Sequence, residues 1–246
     1  GRVQSVAVRL IVEREQEIES FNSSAQYRVT AEFIGKTENG QKVPFTTELN
    51  HRFDDKEEAL AFLESCKKQV FTITSVTHKP GFRSPAAPFT TSTMQQEAAR
   101  KLHFTVSKTM RLAQSLYEAG HITYMRTDSV NLSSLAIHTA KQEILKEFGE
   151  QYHKARQFQT KAKGAQEAHE AIRPTYINKE VAGANQDERR LYDLIRKRAI
   201  ATQMADAQTD TTRIEVEMSD SPYQWVATHE VITFDGFMRV YTQSSD

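Results

Sequence analysis

The chain has 246 residues, with 32 Lys and Arg set against 32 Asp and Glu, so its formal net charge is zero. That length allows one large domain or two ordinary ones. Overall neutrality excludes a protein that coats DNA through bulk positive charge, so any nucleic-acid contact must rely on local charge. One cysteine, Cys66, excludes an internal disulfide and a cysteine zinc site. No apolar run approaches a membrane span, no secretory leader opens the chain, and a reducing cytoplasmic setting is expected.

The opening GRVQSVAVRLIVEREQEIESF predicts an amphipathic helix whose buried stripe is Val3, Val6, Ala7 and Leu10. It starts at Gly1 without a cap, as if cut from something upstream. Alternation in YRVTAEFIG predicts a strand, with KVPFTTEL as its hairpin mate through Asn39-Gly40. Asp54, with Glu57 three residues on, predicts a capped helix with Ala59, Leu63, Cys66 and Val70 inward. VFTITSVTHKP predicts another strand.

Three prolines in PGFRSPAAPFTTS mark a domain boundary, because each removes a donor and favours extended backbone. A helix capped by Ser92 or Thr93, a tight LHFTVS turn and a helix from about Ser107 to Gly120 give a helix-turn-helix outline. An ordinary helical hairpin fits the same spacing. Further helices are predicted over 133–148 and near 186–204, separated by a long polar surface loop. From Thr209 onward TDTTRIEVEMS, YQWVATHEVITF and FMRVYT return to strand character. The order β, α, β predicts an α+β fold: a helical domain inserted into an antiparallel β domain whose last strands pair with its first.

Two segments carry candidate chemistry. HITYMRTDS brings together Tyr124, Arg126 and Asp128. If extended, positions two apart share a face. A phenol ordinarily ionises near pH 10, so most tyrosines are packing residues with a polar tip. A guanidinium beside the phenol would offset the negative charge that builds on a phosphodiester under attack, with Asp128 holding the guanidinium or ending the strand. A surface turn with an Arg–Asp pair is the plainer alternative. In QEAHEAIRPT, His169 and Arg173 would share a face if helical and could bind a phosphate. A solvated surface histidine is the alternative, and the zinc motif H-E-x-x-H is absent. Basic groups around the loop are Arg100, Lys101, His103, Lys108 and Arg111 before it and Lys154, Arg156, Lys161 and Lys163 after it. They suit either a single-strand backbone or a solvated face.

ITYMRTDSVNLS resembles the active-site loop of the type IA DNA topoisomerases. QEAHEAIRPT resembles their histidine segment, and GRVQSVAVRLIVERE the helix lining their DNA path. APFTTSTMQQEA matches the start of their helical domain, and the likeness is strongest to bacterial topoisomerase I. It implies three parts: residues 1–20 as a helix of the gate-base domain, 21–85 with 209–246 as the β arch, and 86–208 as the inserted helical domain with the nucleophile. It further implies that Tyr124 attacks one DNA strand to form a 5′-phosphotyrosine, a second strand passes, and the break reseals without ATP, relaxing negative supercoils. Arg126 would stabilise the transition state and His169 would contact the phosphate or move a proton. Arg2, Gln4, Arg9, Asp128, Ser129 and Arg173 become candidate DNA contacts. The expected partner is DNA, in single-stranded regions of negatively supercoiled duplex, and the expected state is monomeric. Mg²⁺ is expected in the intact enzyme, on a Toprim domain that this chain lacks, with no metal on the chain itself. The chain is therefore expected to be a fragment that does not relax DNA alone. The rivals are a non-catalytic DNA-binding helix-turn-helix module and a structural domain in which Arg126 and His169 lie far from Tyr124. A tyrosine recombinase is disfavoured by the β-rich flanks.

Overall fold

The structure is a computed structural model that describes residues 2–159 and 169–242, without the side chain of Arg2. Six helices and five strands follow in the order α1 (Arg2–Ser20), β1 (Tyr27–Lys36), β2 (Lys42–Phe53), α2 (Lys56–Cys66), β3 (Phe71–Arg83), α3 (Thr91–Leu102), α4 (Val106–Glu118), α5 (Ser134–Glu147), α6 (Gln186–Thr202), β4 (Ala207–Met218) and β5 (Gln224–Phe234). The strands form one sheet in the order β1-β2-β5-β4-β3. The pairing of β2 with β5, antiparallel from Glu48↔Val226, bears out the expected return of the last strands to the first. Two compact units divide the chain: residues 1–78 with 212–229, and 79–211 with 230–246. β3, β4 and β5 each pass from one unit to the other along their own length.

In the first unit, β1 and β2 form the expected hairpin, with Phe33 opposite Phe45 and Gly40 at φ +78 in the turn. A positive φ is what makes glycine the residue of choice there. Val29 of β1, Leu49 of β2, Val216 of β4 and Trp225 of β5 are buried in one cluster with Ala59 of α2. Aromatic edges add direction to the area burial: Phe33 and Phe62 each lie 6.0 Å from Trp225, centroid to centroid.

Two expectations for α2 shift. Its cap is Asp55, whose carboxylate accepts from the N–H groups of Glu57 and Glu58; Asp54 instead accepts from the Gln26 side chain. Its inner face is Ala59, Phe62 and Cys66, whereas Leu63 and Val70 are exposed. Ala59 and Cys66 keep their expected side, Phe62 replaces Leu63 on it, and Val70 lies beyond the helix end. Burial pushes the Cys66 thiol pKa up, so this cysteine packs as a small apolar group. α1 is helical as expected, yet its stripe is bare, with Val3 83% exposed and Val6 and Leu10 also open. Periodicity reports a helix that needs a partner, and among the described residues nothing covers this face.

The second unit is built around α6. Leu191, Tyr192, Ile195 and Ile200 pack with Phe89, Met94, Ala98, Leu112, Leu116, Ile122 and Met125 into one core. α3 and α4 form the expected pair, with the chain reversing through His103 at φ 57. The cap of α3 is Thr90, in a reciprocal capping box with Thr93, not Ser92 or Thr93 with a glutamine. α5 is capped by Ser133 and closed by Gly149 at φ +91. The segment expected as a long surface loop is partly interior. Tyr152 is buried and donates to Asp235, while the Ala205 N–H donates to the Tyr152 carbonyl at 2.7 Å. Residues 160–168 of that segment, with Lys161 and Lys163, lie outside the described residues. FMRVYT is not a strand either: Gly236–Arg239 makes a 3-10 turn that drops Phe237 into the core.

Candidate active site

Residues 122–130 belong to no strand, with an isolated bridge at Ile122 and bends at Thr123, Met125 and Arg126. Ile122, Met125, Thr127 and Ser129 are buried, and Tyr124, Arg126 and Asp128 are exposed. Exposure thus alternates along the segment, with Tyr124, Arg126 and Asp128 open to solvent. Its cause is local: Met125 at 1% exposure is anchored in the core, which leaves Tyr124 and Arg126 on either side of it outside the core.

The segment is held from both sides. Ile122 bridges Pro174, and the Thr123 N–H donates to the Arg173 carbonyl at 2.9 Å. On the other side the Thr91 N–H donates to the Thr127 carbonyl at 2.9 Å. These bonds gather three pieces of chain: the start of α3, the 122–130 segment and the stretch after His169. Between them opens a cleft of about 760 Å³ lined by Thr90, Thr91, Ser92, Arg126, Thr127, Asp128 and His169. The cleft lies over the first turn of a helix, where N–H groups and the helix dipole favour an anion. Among the described residues Arg126 and His169 carry no ion pair or hydrogen bond, so both are open to an incoming group.

Tyr124 does not line the cleft. It is 42% exposed, and its ring meets Tyr117 edge-on at 5.1 Å between centroids. Among the described residues its hydroxyl has no hydrogen-bond partner. The ring is therefore not sealed in the core. His169 and Arg126 line the same cleft, whereas Tyr124, from which the structural rival places both at a distance, lies outside that lining.

Other candidates fare differently. His169 and Arg173 are not on a helix; residues 171–174 run extended through the bridges Ile172↔Phe89 and Pro174↔Ile122. The Arg173 guanidinium is turned to its own chain, donating to Glu170 at 2.6 Å and to the Pro174 carbonyl at 2.9 Å. Burial alone would raise the Glu170 pKa, but hydrogen bonds from Ser133 and Arg173, with the Arg173 charge, hold it below the usual carboxylate value. Ser129 is buried and its hydroxyl accepts from the Asn131 N–H, so it braces the turn and presents nothing outward. On α1, in the other unit, Gln4 is exposed and Arg9 is paired with Glu13 at 2.6 Å. The Arg2 side chain lies outside the described residues.

Much of the surrounding positive charge is already engaged. Lys154 and Arg156 both reach Asp206 at 2.5 Å, Lys108 meets Asp187 at 2.6 Å, and Lys101 sits 4.3 Å over the Tyr241 ring. Thr90, Thr91 and Ser92 are cleft residues that the sequence reading used only as a helix start. The run of hydroxyls ahead of α3 was the available signal.

The family model described as DNA topoisomerase matches residues 1–246. The chain belongs to the DNA topoisomerase family. It is 45% identical to DNA topoisomerase 1 of Zymomonas mobilis across the whole chain and 21% of that protein. It is 42% identical to the enzyme of Mycolicibacterium smegmatis, again over the whole chain and 30% of that protein. Among solved structures, full-length topoisomerase I from Thermotoga maritima matches at a TM-score of 0.78 and 33% identity, covering all of this chain and 40% of that one. The chain thus spans between about a fifth and a third of the curated relatives it matches. No described helix is long and apolar enough to cross a membrane.

Proposed function

We propose that this chain is the nucleophile-bearing part of a type IA DNA topoisomerase of the bacterial topoisomerase I kind. The observation that carries this reading is the exposure of Tyr124, Arg126 and Asp128, with Arg126 and His169 open on one cleft over the start of α3. A single DNA strand laid along the cleft would place a phosphate near that helix start. The Tyr124 oxygen attacks phosphorus as its proton leaves; the bond to the sugar 3′ oxygen breaks, and that oxygen takes up a proton. The products are a 5′-phosphotyrosine and a free 3′-hydroxyl. Arg126 offsets the charge that gathers on the non-bridging oxygens, an effect that grows as water is excluded. His169 holds the same phosphate or relays a proton. One phosphodiester replaces another, so the step runs back without ATP once a second strand has passed, and negative supercoils relax. A monomer acting in the cytoplasm accords with this reading.

Mg²⁺ belongs to the reading of the intact enzyme, on residues outside this chain. Among the described residues no three His, Cys, Asp or Glu side chains gather as a metal site, and no step is routed through one. The test uses the full-length enzyme and a single-stranded oligonucleotide labelled on its 3′ side. The native protein acquires a denaturation-resistant label through the 5′ phosphate, and Tyr124→Phe does not. A DNA-binding module without catalysis predicts the reverse: DNA retention unchanged by Tyr124→Phe and no labelled protein in either case.

A further inference from the structure

The segment that carries Tyr124 and Arg126 has almost no backbone ladder, with one bridge at Ile122 and none beyond it. Something else must fix its direction. The Thr91 hydroxyl donates to the Met125 carbonyl at 2.7 Å and accepts from the Thr127 N–H at 2.9 Å. Those two groups belong to the two peptide planes that flank Arg126. One side chain therefore holds both planes, and with them the φ and ψ of the residue between. Thr123 repeats the device on the neighbouring strand. Its hydroxyl donates to the Ala171 carbonyl at 2.7 Å and accepts from the Arg173 N–H at 3.0 Å, gripping both peptides around Ile172 in the stretch that follows His169.

We infer that Thr91 and Thr123 are positioning residues for strand cleavage: Thr91 aims Arg126, and Thr123 ties the stretch after His169 to the residue just before Tyr124. The inference rests on the reading of the site given above. A serine could make either clasp. Valine fills the same space but neither donates nor accepts, and the peptides it releases are free to turn.

The experiment is single-turnover cleavage of a 3′-labelled single-stranded oligonucleotide by full-length enzyme carrying Thr91→Val, Thr91→Ser, Thr123→Val or Tyr124→Phe, with affinity measured separately. Misplacing a catalytic group by about 1 Å can cost about a hundredfold in rate. The expected result for each valine variant is a cleavage rate at saturating DNA at least about tenfold lower, with affinity within about threefold. Thr91→Ser returns to within about threefold of the native rate. Valine variants that cleave like the native protein while Tyr124→Phe is dead would overturn the clasp and leave the active-site reading standing. A Tyr124→Phe protein that still forms the adduct would overturn the reading and the clasp with it. A loss confined to affinity, or one that serine does not restore, also overturns the clasp. If Thr91→Val fails to fold by circular dichroism, Thr91→Ala, which cannot overpack the site, is judged by the same split between rate and affinity.

Discussion

Glu170 joins two parts of the site region, and its replacement has a calculable cost. One carboxylate oxygen accepts from the Ser133 N–H at 2.6 Å, at the cap of α5; the other accepts from Arg173 at 2.6 Å. The Glu170 and Arg173 side chains are 29% and 15% exposed. Glu170→Gln keeps one acceptor oxygen and turns an amide NH₂ toward one of the two donors. Hydrogen bonds to a charged group are worth about 1.5–3 kcal/mol each. With partial exposure taken into account, the loss should be about 2 kcal/mol. For a protein of this size that lowers Tm by roughly 4–8 °C. The sign of the pH dependence is fixed by the depressed pKa. The stabilisation is complete above the unfolded carboxylate value, about 4.3, and is lost as pH falls through the lower folded value. Thermal unfolding followed by circular dichroism from pH 8 to pH 3 is the assay. The gap between native and variant protein should hold steady down to about pH 5 and close in stronger acid. No gap at pH 7, or one that widens in acid, would refute the assignment of these two bonds.

The buried Glu143 behaves in the opposite sense. Burial, then the neighbouring Glu147, pushes its pKa up despite Arg196 at 3.5 Å. The folded state therefore holds the proton longer, and stability falls as pH climbs from about 4.3 through the raised value. Glu143→Gln should raise stability modestly at pH 7 and have no effect near pH 4, because Arg196 keeps Glu147 and the Ile177 carbonyl; a lower Tm at pH 7 would contradict this. Gly183 sits at φ +119, where an added Cβ would lie 2.7 Å from the Glu188 Cβ and 2.9 Å from the Arg189 nitrogen. Gly183→Ala should cost at least about 2 kcal/mol. Gly40→Ala, at φ +78 with open space around it, should cost about 1 kcal/mol; equal losses in chemical denaturation would show that the close approach is not real.

The elements were largely legible because their signals are local. Asn39-Gly40 demands a hairpin turn, Ser133 offers a cap to α5, and Gly120 and Gly149 stop helices by adopting positive φ. The exposure of Tyr124, Arg126 and Asp128 was legible for the same reason, since each stands between residues that the segment buries. FMRVYT misled because its β-favouring residues do not form a strand: Phe237 and Tyr241 enter the helical core across a 3-10 turn.

What the sequence by itself determined is the six helices, the five strands and their order along the described residues, though not the turn at FMRVYT, and which residue types could meet a phosphate. Three matters waited for the tertiary structure. Arg196 and Arg198 look like solvated residues of a polar helix, yet both are buried, because carbonyls at Ile177 and Ala87 and the Tyr241 hydroxyl stand ready to receive them. Arg173 looks like a cation for DNA and is instead held by Glu170 and its own backbone. The meeting of Arg126 with His169 over Thr90 and Ser92 joins residues dozens of positions apart. Such outcomes depend on which distant groups arrive to satisfy a charge or a hydrogen bond, and spacing along a chain carries no record of that.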